Sequence, residues 1–129
     1  MPSEESRFEV SEDDGCVRLV VRGQFSRALF TQLLQRVIEE TTARRNPRAL
    51  IDGRDVPLSM STITRYEIGV QLADSIGGGV RLAVLLLPEA VDGFAETVAR
   101  NRGATVRVFT DEAAALLWLG RGGAPAPIL

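Results

Sequence analysis

The sequence predicts an α/β domain: a mixed five-stranded sheet with an N-terminal antiparallel hairpin, followed by right-handed βαβ crossovers and about four helices. An Asp-Gly pair lies between two short runs with strand periodicity, which is a hairpin signal. Helical and strand patterns then alternate along the chain, which is typical of parallel strands joined by right-handed crossovers. The chain has 129 residues and 45% hydrophobic residues, enough for one domain with a real core.

The hairpin is predicted first along the chain. Arg7 to Ser11 form its first strand, and the turn is Glu12-Asp13-Asp14-Gly15. The second strand alternates with a period of two. Its better-buried face is expected to carry Val17, Leu19 and Val21, and the other face carries Arg18, Val20 and Arg22.

A first helix and a third strand follow. Ser26 is the expected N-cap of the helix. Apolar residues then recur at helical spacing, at Leu29, Phe30, Leu33, Leu34, Val37 and Ile38. Asn46-Pro47 ends this region, and Ala49-Leu50-Ile51 forms a short apolar strand that leads to Asp52-Gly53.

The second half of the chain contains three helical and two strand patterns. One side of the second helix is marked by Ile63, Tyr66, Val70 and Ala73, and its buried face is widened by Ile68, Leu72 and Ile76. The helix is expected to end at Gly77-Gly78-Gly79. Val80 to Leu87 is nearly continuous in apolar residues, as in a central strand covered on both faces. The remaining elements are a third helix capped by Asp92, a strand over Thr105 to Phe109, and a final helix capped by Thr110 that runs through Leu119.

We expect residues 1–6 to be disordered, residues 7–119 to form a single domain, and residues 120–129 to be a flexible C-terminal tail. The consecutive apolar residues 116–119 cannot all face one core. Either the final helix is covered on several sides, or part of it contacts a second subunit, which leaves a homodimer open.

The composition argues against most enzyme classes. The chain has no histidine and no lysine, which removes imidazole bases, Schiff-base lysines and the lysine of a P-loop. Cys16 is the only cysteine, so no cysteine metal cluster can form. Asp52 and Asp55 lie beside Arg54, which is expected to pair with one of these carboxylates and not to leave both free to bind a metal ion. We therefore expect no catalytic residues, no metal site and no cofactor.

Net charge and hydropathy limit the binding partners and the cellular compartments that are expected. A net charge of −2 gives no broad electrostatic reason to bind nucleic acid. No apolar run approaches the roughly 20 residues that span a bilayer, and the N-terminus lacks the apolar core of a signal peptide. The sequence predicts a cytoplasmic protein without a transmembrane segment.

The segment from Arg48 to Gly69 joins a buried strand to a helix through a loop rich in hydroxyl groups. Ser59, Ser61 and Thr62 stand where the helix N-terminus is expected. One interpretation is capping by Ser59 or Ser61, with a T-x-x-E capping box at Thr64 and Glu67 one turn later. The other is a phosphorylation switch, because phosphate adds about −1.5 to −2 charges at the positive end of a helix.

Three stretches in this order and spacing resemble the STAS family of sulphate transporters and anti-sigma-factor antagonists. They are VRLVVRGQFS, ALIDGRDV and FAETVARNRGATVRVFTDEAAALLWL. The resemblance covers roughly residues 7 to 119. It is closest to the small bacterial SpoIIAA-like proteins, a branch grouped with the lipid-binding CRAL-TRIO fold.

The resemblance implies a regulatory site at the start of the second helix. In the antagonists an aspartate, a phosphorylatable serine, a second serine and a glycine occupy this position, which corresponds here to Met60-Ser61-Thr62-Ile63. Ser61 is the nearest candidate phospho-acceptor. Met60 and Ile63 depart from the motif, since they stand in place of its aspartate and glycine.

Two binding functions follow as hypotheses. The first is a non-enzymatic module that binds a regulatory protein through the loop around residues 57–62 and the following helix. Its candidate surface is Arg54, Ser59, Met60, Ser61, Thr62 and Tyr66. The second, implied by the CRAL-TRIO relationship, is binding of a small hydrophobic ligand or lipid in a pocket near Leu58, Met60, Ile63 and Tyr66. Packing of these four residues into the core is the alternative to a pocket.

Overall fold

The computed structural model describes residues 8–57 and 60–123, which contain five strands, four α-helices and one short 3-10 helix, Pro88–Ala90. The strands are β1 (Phe8–Asp13), β2 (Cys16–Arg22), β3 (Arg48–Asp55), β4 (Arg81–Leu85) and β5 (Thr105–Phe109). The helices are α1 (Arg27–Ala43), α2 (Thr62–Ile76), α3 (Phe94–Asn101) and α4 (Glu112–Gly123).

The strands form one mixed sheet in the order β1-β2-β3-β4-β5. β1 and β2 pair antiparallel, and the other neighbouring strands pair parallel. The predicted fold class is therefore confirmed, including the opening hairpin and the crossovers that follow it.

The hairpin turn is shorter than predicted. Asp14 and Gly15 have φ angles of 55° and 80°, as in the two-residue turns that match the twist of antiparallel strands. Asp13 consequently pairs with Cys16, so that Glu12 and Asp13 belong to β1 and not to the turn.

The two faces of the sheet are covered unequally. On the first, which we call the three-helix face, α1, α2 and α3 bury the main core with strand residues such as Leu19, Ile51 and Leu82. On the second, the α4 face, a smaller core forms around Leu50, Leu85 and other residues, namely Cys16, Ala83, Ala115 and Leu119.

The helix ends show which capping predictions hold. Ser26 caps α1, since its hydroxyl accepts a hydrogen bond from the Leu29 amide at 2.9 Å, as predicted. Asp92 is not the cap of α3, because the helix begins after Gly93, although the Asp92 carboxylate accepts from the Phe94 amide.

The final helix also differs from its prediction at both ends. The Asp111 carboxylate accepts from the Ala114 amide at 2.9 Å, so Asp111 takes the capping role expected of Thr110. The helix continues past Leu119 to Gly123, and the expected tail therefore begins inside it. Residues 124–129 lie outside the described residues, as do residues 1–7 and with them the expected disordered segment.

Two apolar stripes are only partly buried. Ile63 and Tyr66 were expected on the buried side of α2 but are 71% and 48% exposed, because Ile68, Leu72, Ala73 and Ile76 already fill the face toward the sheet. On α4, Leu119 is buried whereas Leu117 is 58% exposed.

Candidate functional site

The start of α2 is fixed by Ser61. Its hydroxyl accepts a hydrogen bond from the Thr64 amide at 3.1 Å and donates one to the Thr64 hydroxyl at 3.0 Å. The capping interpretation is thus confirmed for Ser61. The T-x-x-E box does not form, because Thr64 lies inside the helix and Glu67 instead accepts from Arg27 at 2.6 Å.

The cap gives a first prediction. Ser61→Ala is expected to lower the free energy of unfolding by about 1 kcal/mol, the usual cost of losing a serine cap. Ser61→Asp is expected to stay within about 0.5 kcal/mol of wild type, because aspartate caps as well as serine and its charge suits the helix N-terminus. Urea denaturation measures both. Equal destabilisation by the two variants would contradict the capping role.

Two large apolar side chains lie in solvent beside this cap. Ile63 is 71% exposed and Tyr66 is 48% exposed, and Ser61 and Thr62 are exposed as well. We call these four residues the α2 surface. Residues 60–66 thereby present hydroxyl and apolar groups together at the carboxyl edge of the parallel strands, where ligands and partners are commonly bound in α/β folds.

Two other residues of the expected surface, Met60 and Arg54, lie elsewhere. Met60 is partly buried and packs against the main core. Ser59 falls outside the described residues, as does Leu58. Arg54 is directed to the α4 face, where its contacts are with Asp52 and Glu112, so the structure does not bring it together with the α2 surface.

Arg54 belongs to an ion-pair network on the α4 face of β2 and β3, beside the start of α4. It holds Asp52 with two charge-assisted hydrogen bonds, at 3.0 Å and 2.7 Å, and reaches Glu112 at 3.2 Å. Arg18 contacts the same two carboxylates, at 2.9 Å from Glu112 and 3.8 Å from Asp52. We call these four residues the Asp52 network.

The Asp52 network fixes the charge of its buried member. Asp52 is only 8% exposed, and the hydrogen bonds from Arg54 hold its pKa below the ordinary value although burial opposes this. The same pairing raises the pKa of Arg54. Asp52 and Arg54 are therefore both ionised at neutral pH.

A cavity of about 140 Å³ lies beneath the start of α2, on the three-helix face of the sheet. Most of its wall is apolar, and that part comes from the sheet, from α1, α2 and α3 and from the loop before α1. Its side chains include Phe25, Phe30, Ile68, Leu72, Val84 and Val106. Among the residues expected near a pocket, Met60 lines this cavity, whereas Ile63 and Tyr66 do not. The phenylalanines were missed, because periodicity reports which side chains are buried and not where their packing leaves a gap.

Each charged side chain in the cavity wall has a partner within the protein. Arg65 forms an ion pair with Asp92 at 3.0 Å and donates a hydrogen bond to the Met60 carbonyl at 3.3 Å. The Glu96 carboxylate accepts from the Val108 amide at 3.1 Å, which covers part of the outer edge of β5. Arg65 thus ties α2 to the segments before α2 and before α3.

Metal binding and membrane crossing have no candidate elements in residues 8–57 and 60–123. Within these ranges no group of three or more acidic or cysteine side chains is placed to hold a metal ion. None of the helices in that part of the chain is both long and apolar enough to cross a bilayer.

No protein-family model matches the sequence, and no curated protein matches it either. Solved structures do match. The chain is similar to an anti-sigma factor antagonist from Mycobacterium paratuberculosis, with a TM-score of 0.60 and 18% identity over 88% of this chain and 92% of that one. The chain has a STAS-like, SpoIIAA-like fold.

A second solved structure agrees with this assignment. It is an uncharacterised protein of the DUF3478 family with a SpoIIAA-like fold, from Shewanella loihica PV-4, with a TM-score of 0.53 and 19% identity over 87% of this chain and 90% of that one. The STAS-like resemblance seen in the sequence is therefore confirmed at the level of the fold. The relationship to the CRAL-TRIO fold stays a prediction.

Proposed function

We propose that this STAS-like domain is a non-enzymatic module that binds a regulatory protein through the α2 surface. The observation that carries the proposal is the exposure of Ile63 and Tyr66, 71% and 48%, beside the helix cap. Large apolar side chains clustered in solvent mark protein interaction sites, and tyrosine is enriched among residues that contribute most to binding. The likeness in fold to an anti-sigma factor antagonist supports a regulatory protein as the partner.

The electrostatics of the best carboxylate candidate also favour binding over catalysis. A general acid or base works best with a pKa near the operating pH. The pKa of Asp52 is instead lowered by Arg54, and the carboxylate is engaged by two arginines. Asp52 is thereby held as a structural anion, and no proton transfer at neutral pH is assigned to it.

The α2 surface is tested by affinity capture from the source cell with four forms of the protein. Ile63→Arg and Ser61→Asp are expected to lose, by at least tenfold, a protein that wild type recovers, because each places a charge in an apolar contact. Leu117→Arg is the matched control, since Leu117 is a similarly exposed apolar residue on α4. Recovery of the same proteins by all four forms would contradict docking at this surface.

Phosphorylation of Ser61 is proposed as the regulation of this docking. The Ser61 side chain is exposed and lies at the positive end of α2, where a phosphate is tolerated by the fold. Loss of the captured protein from Ser61→Asp, but not from Ser61→Ala, would support a charge effect. Loss from both variants to the same extent would argue against it.

A second candidate function, binding of a small hydrophobic ligand, is favoured by the cavity alone. Its wall is predominantly apolar and includes Met60, one of the four residues near which a pocket was expected. The two functions use different faces of the same helix and are separable by experiment.

A further inference from the structure

We propose that the cavity binds an uncharged, apolar molecule with the size of a single aromatic ring. This inference deepens the second candidate function by naming the class of ligand. It does not depend on a protein partner.

The volume sets the size of the ligand. Pockets for drug-sized molecules typically enclose about 300 to 1,000 Å³. The cavity here has about 140 Å³, close to the engineered apolar cavity of about 150 Å³ that binds benzene. A ring with one small substituent therefore fits inside, whereas a long acyl chain would have to extend beyond the cavity.

The wall sets the polarity of the ligand. Its three charged side chains are Arg65, Asp92 and Glu96, and each has a partner within the protein. An anionic ligand would find the one cation of the wall, Arg65, already paired with Asp92 and would lose its hydration on entry, which is costly without compensation. An uncharged apolar ligand pays no such cost and removes its own apolar surface from water.

The shape of the wall favours an aromatic ring. Phe25 and Phe30 both line the cavity, with ring centroids 6.2 Å apart and planes tilted by 47°. Aromatic rings attract one another in such tilted arrangements. A third ring between the sheet and these phenylalanines would extend the same packing.

The proposal is tested by NMR titration of the isolated protein with toluene, benzoate and dodecanol. Toluene is expected to bind saturably with a Kd of about 1 mM or below, a realistic affinity for a ligand of this size. Benzoate is expected to bind at least tenfold more weakly because of its charge. Failure of toluene to bind, or equal binding of benzoate, would overturn the proposal. Tighter binding of dodecanol than of toluene would also overturn it, in favour of a lipid-like chain.

Filling variants locate the site. Val84→Phe and Ala90→Leu add volume to the cavity wall and are each expected to weaken toluene binding at least tenfold. Val20→Phe is the matched control, because Val20 is partly exposed on a strand but does not line the cavity. Retention of toluene binding by both filling variants would overturn the location, and Ala90→Leu alone decides if Val84→Phe does not fold. These titrations contain no protein partner, so their outcomes neither support nor contradict docking of a protein at the α2 surface.

Discussion

Asp52→Ala is expected to lower the free energy of unfolding by about 3 kcal/mol, the lower end of the cost of removing one partner from a buried ion pair. Asp52 is 8% exposed and accepts two hydrogen bonds from Arg54. Its removal leaves Arg18 and Arg54 to share Glu112 as their one remaining carboxylate partner in the Asp52 network. We take the lower end because the Arg54 side chain is 38% exposed, so water can hydrate its guanidinium group once the Asp52 carboxylate is removed. Urea denaturation at pH 7 measures the change.

The same strand supplies the control. Asp55 follows Asp52 on β3, but its side chain is 67% exposed and meets Arg22 at 3.8 Å. Asp55→Ala is expected to change the free energy of unfolding by less than about 0.5 kcal/mol, as for most exposed ion pairs. Equal losses from the two variants would show that burial of Asp52 in the network does not determine its contribution.

The contribution of Asp52 also depends on pH with a definite sign. Its pKa is lower in the folded protein than in the unfolded chain, where it is about 3.9. The stabilisation is therefore fully present above about pH 4 and is lost as the pH falls through the folded pKa. The difference in unfolding free energy between wild type and Asp52→Asn should be constant from pH 7 to 5 and should shrink below pH 4. A difference that grows on acidification would contradict the assigned direction.

The order of elements was predictable because each depends on local patterns. The Asp14-Gly15 turn and the alternation in β2 fixed the hairpin, and the apolar run in β4 indicated a strand covered on both faces. The caps were less certain where two suitable residues are adjacent. Thr110 and Asp111 are both good N-caps, and only the path of the chain decides that Asp111 takes the role.

The candidate site was predicted less completely because it depends on how the elements meet. Helical spacing places Ile63 and Tyr66 on one side of α2, but whether that side is covered depends on its neighbours. The direction of Arg54 was accessible in principle, since residues two apart on a strand share a face and Asp52 lies two positions before it. The cavity depends on the packing of three helices and four strands, and no local pattern reports it.

Gly69→Ala is expected to lower the free energy of unfolding by about 2 kcal/mol, within the usual cost of overpacking. Gly69 is buried where α2 packs against α3. A Cβ atom on it would lie 2.7 Å from both the Ala95 carbonyl oxygen and the Val98 Cβ atom. Both contacts involve atoms fixed by the backbone of α3, so no side-chain rotation relieves them and the two helices must separate. Thermal or urea unfolding measures the loss.

Gly120→Ala is the matched control and is expected to change stability in the opposite direction. Gly120 lies in α4, is exposed, and has no atom within 4 Å of the position of an added Cβ. Alanine there should raise the free energy of unfolding by about 0.5 to 1 kcal/mol, because it gains helix propensity without a steric cost. Stabilisation by both substitutions would show that α2 and α3 are not held at the close approach that Gly69 permits. Destabilisation by Gly69→Ala alone would show that the close contact at Gly69 holds α3 against α2. Because Ala95 of α3 lines the cavity, the same contact would also position that part of the cavity wall.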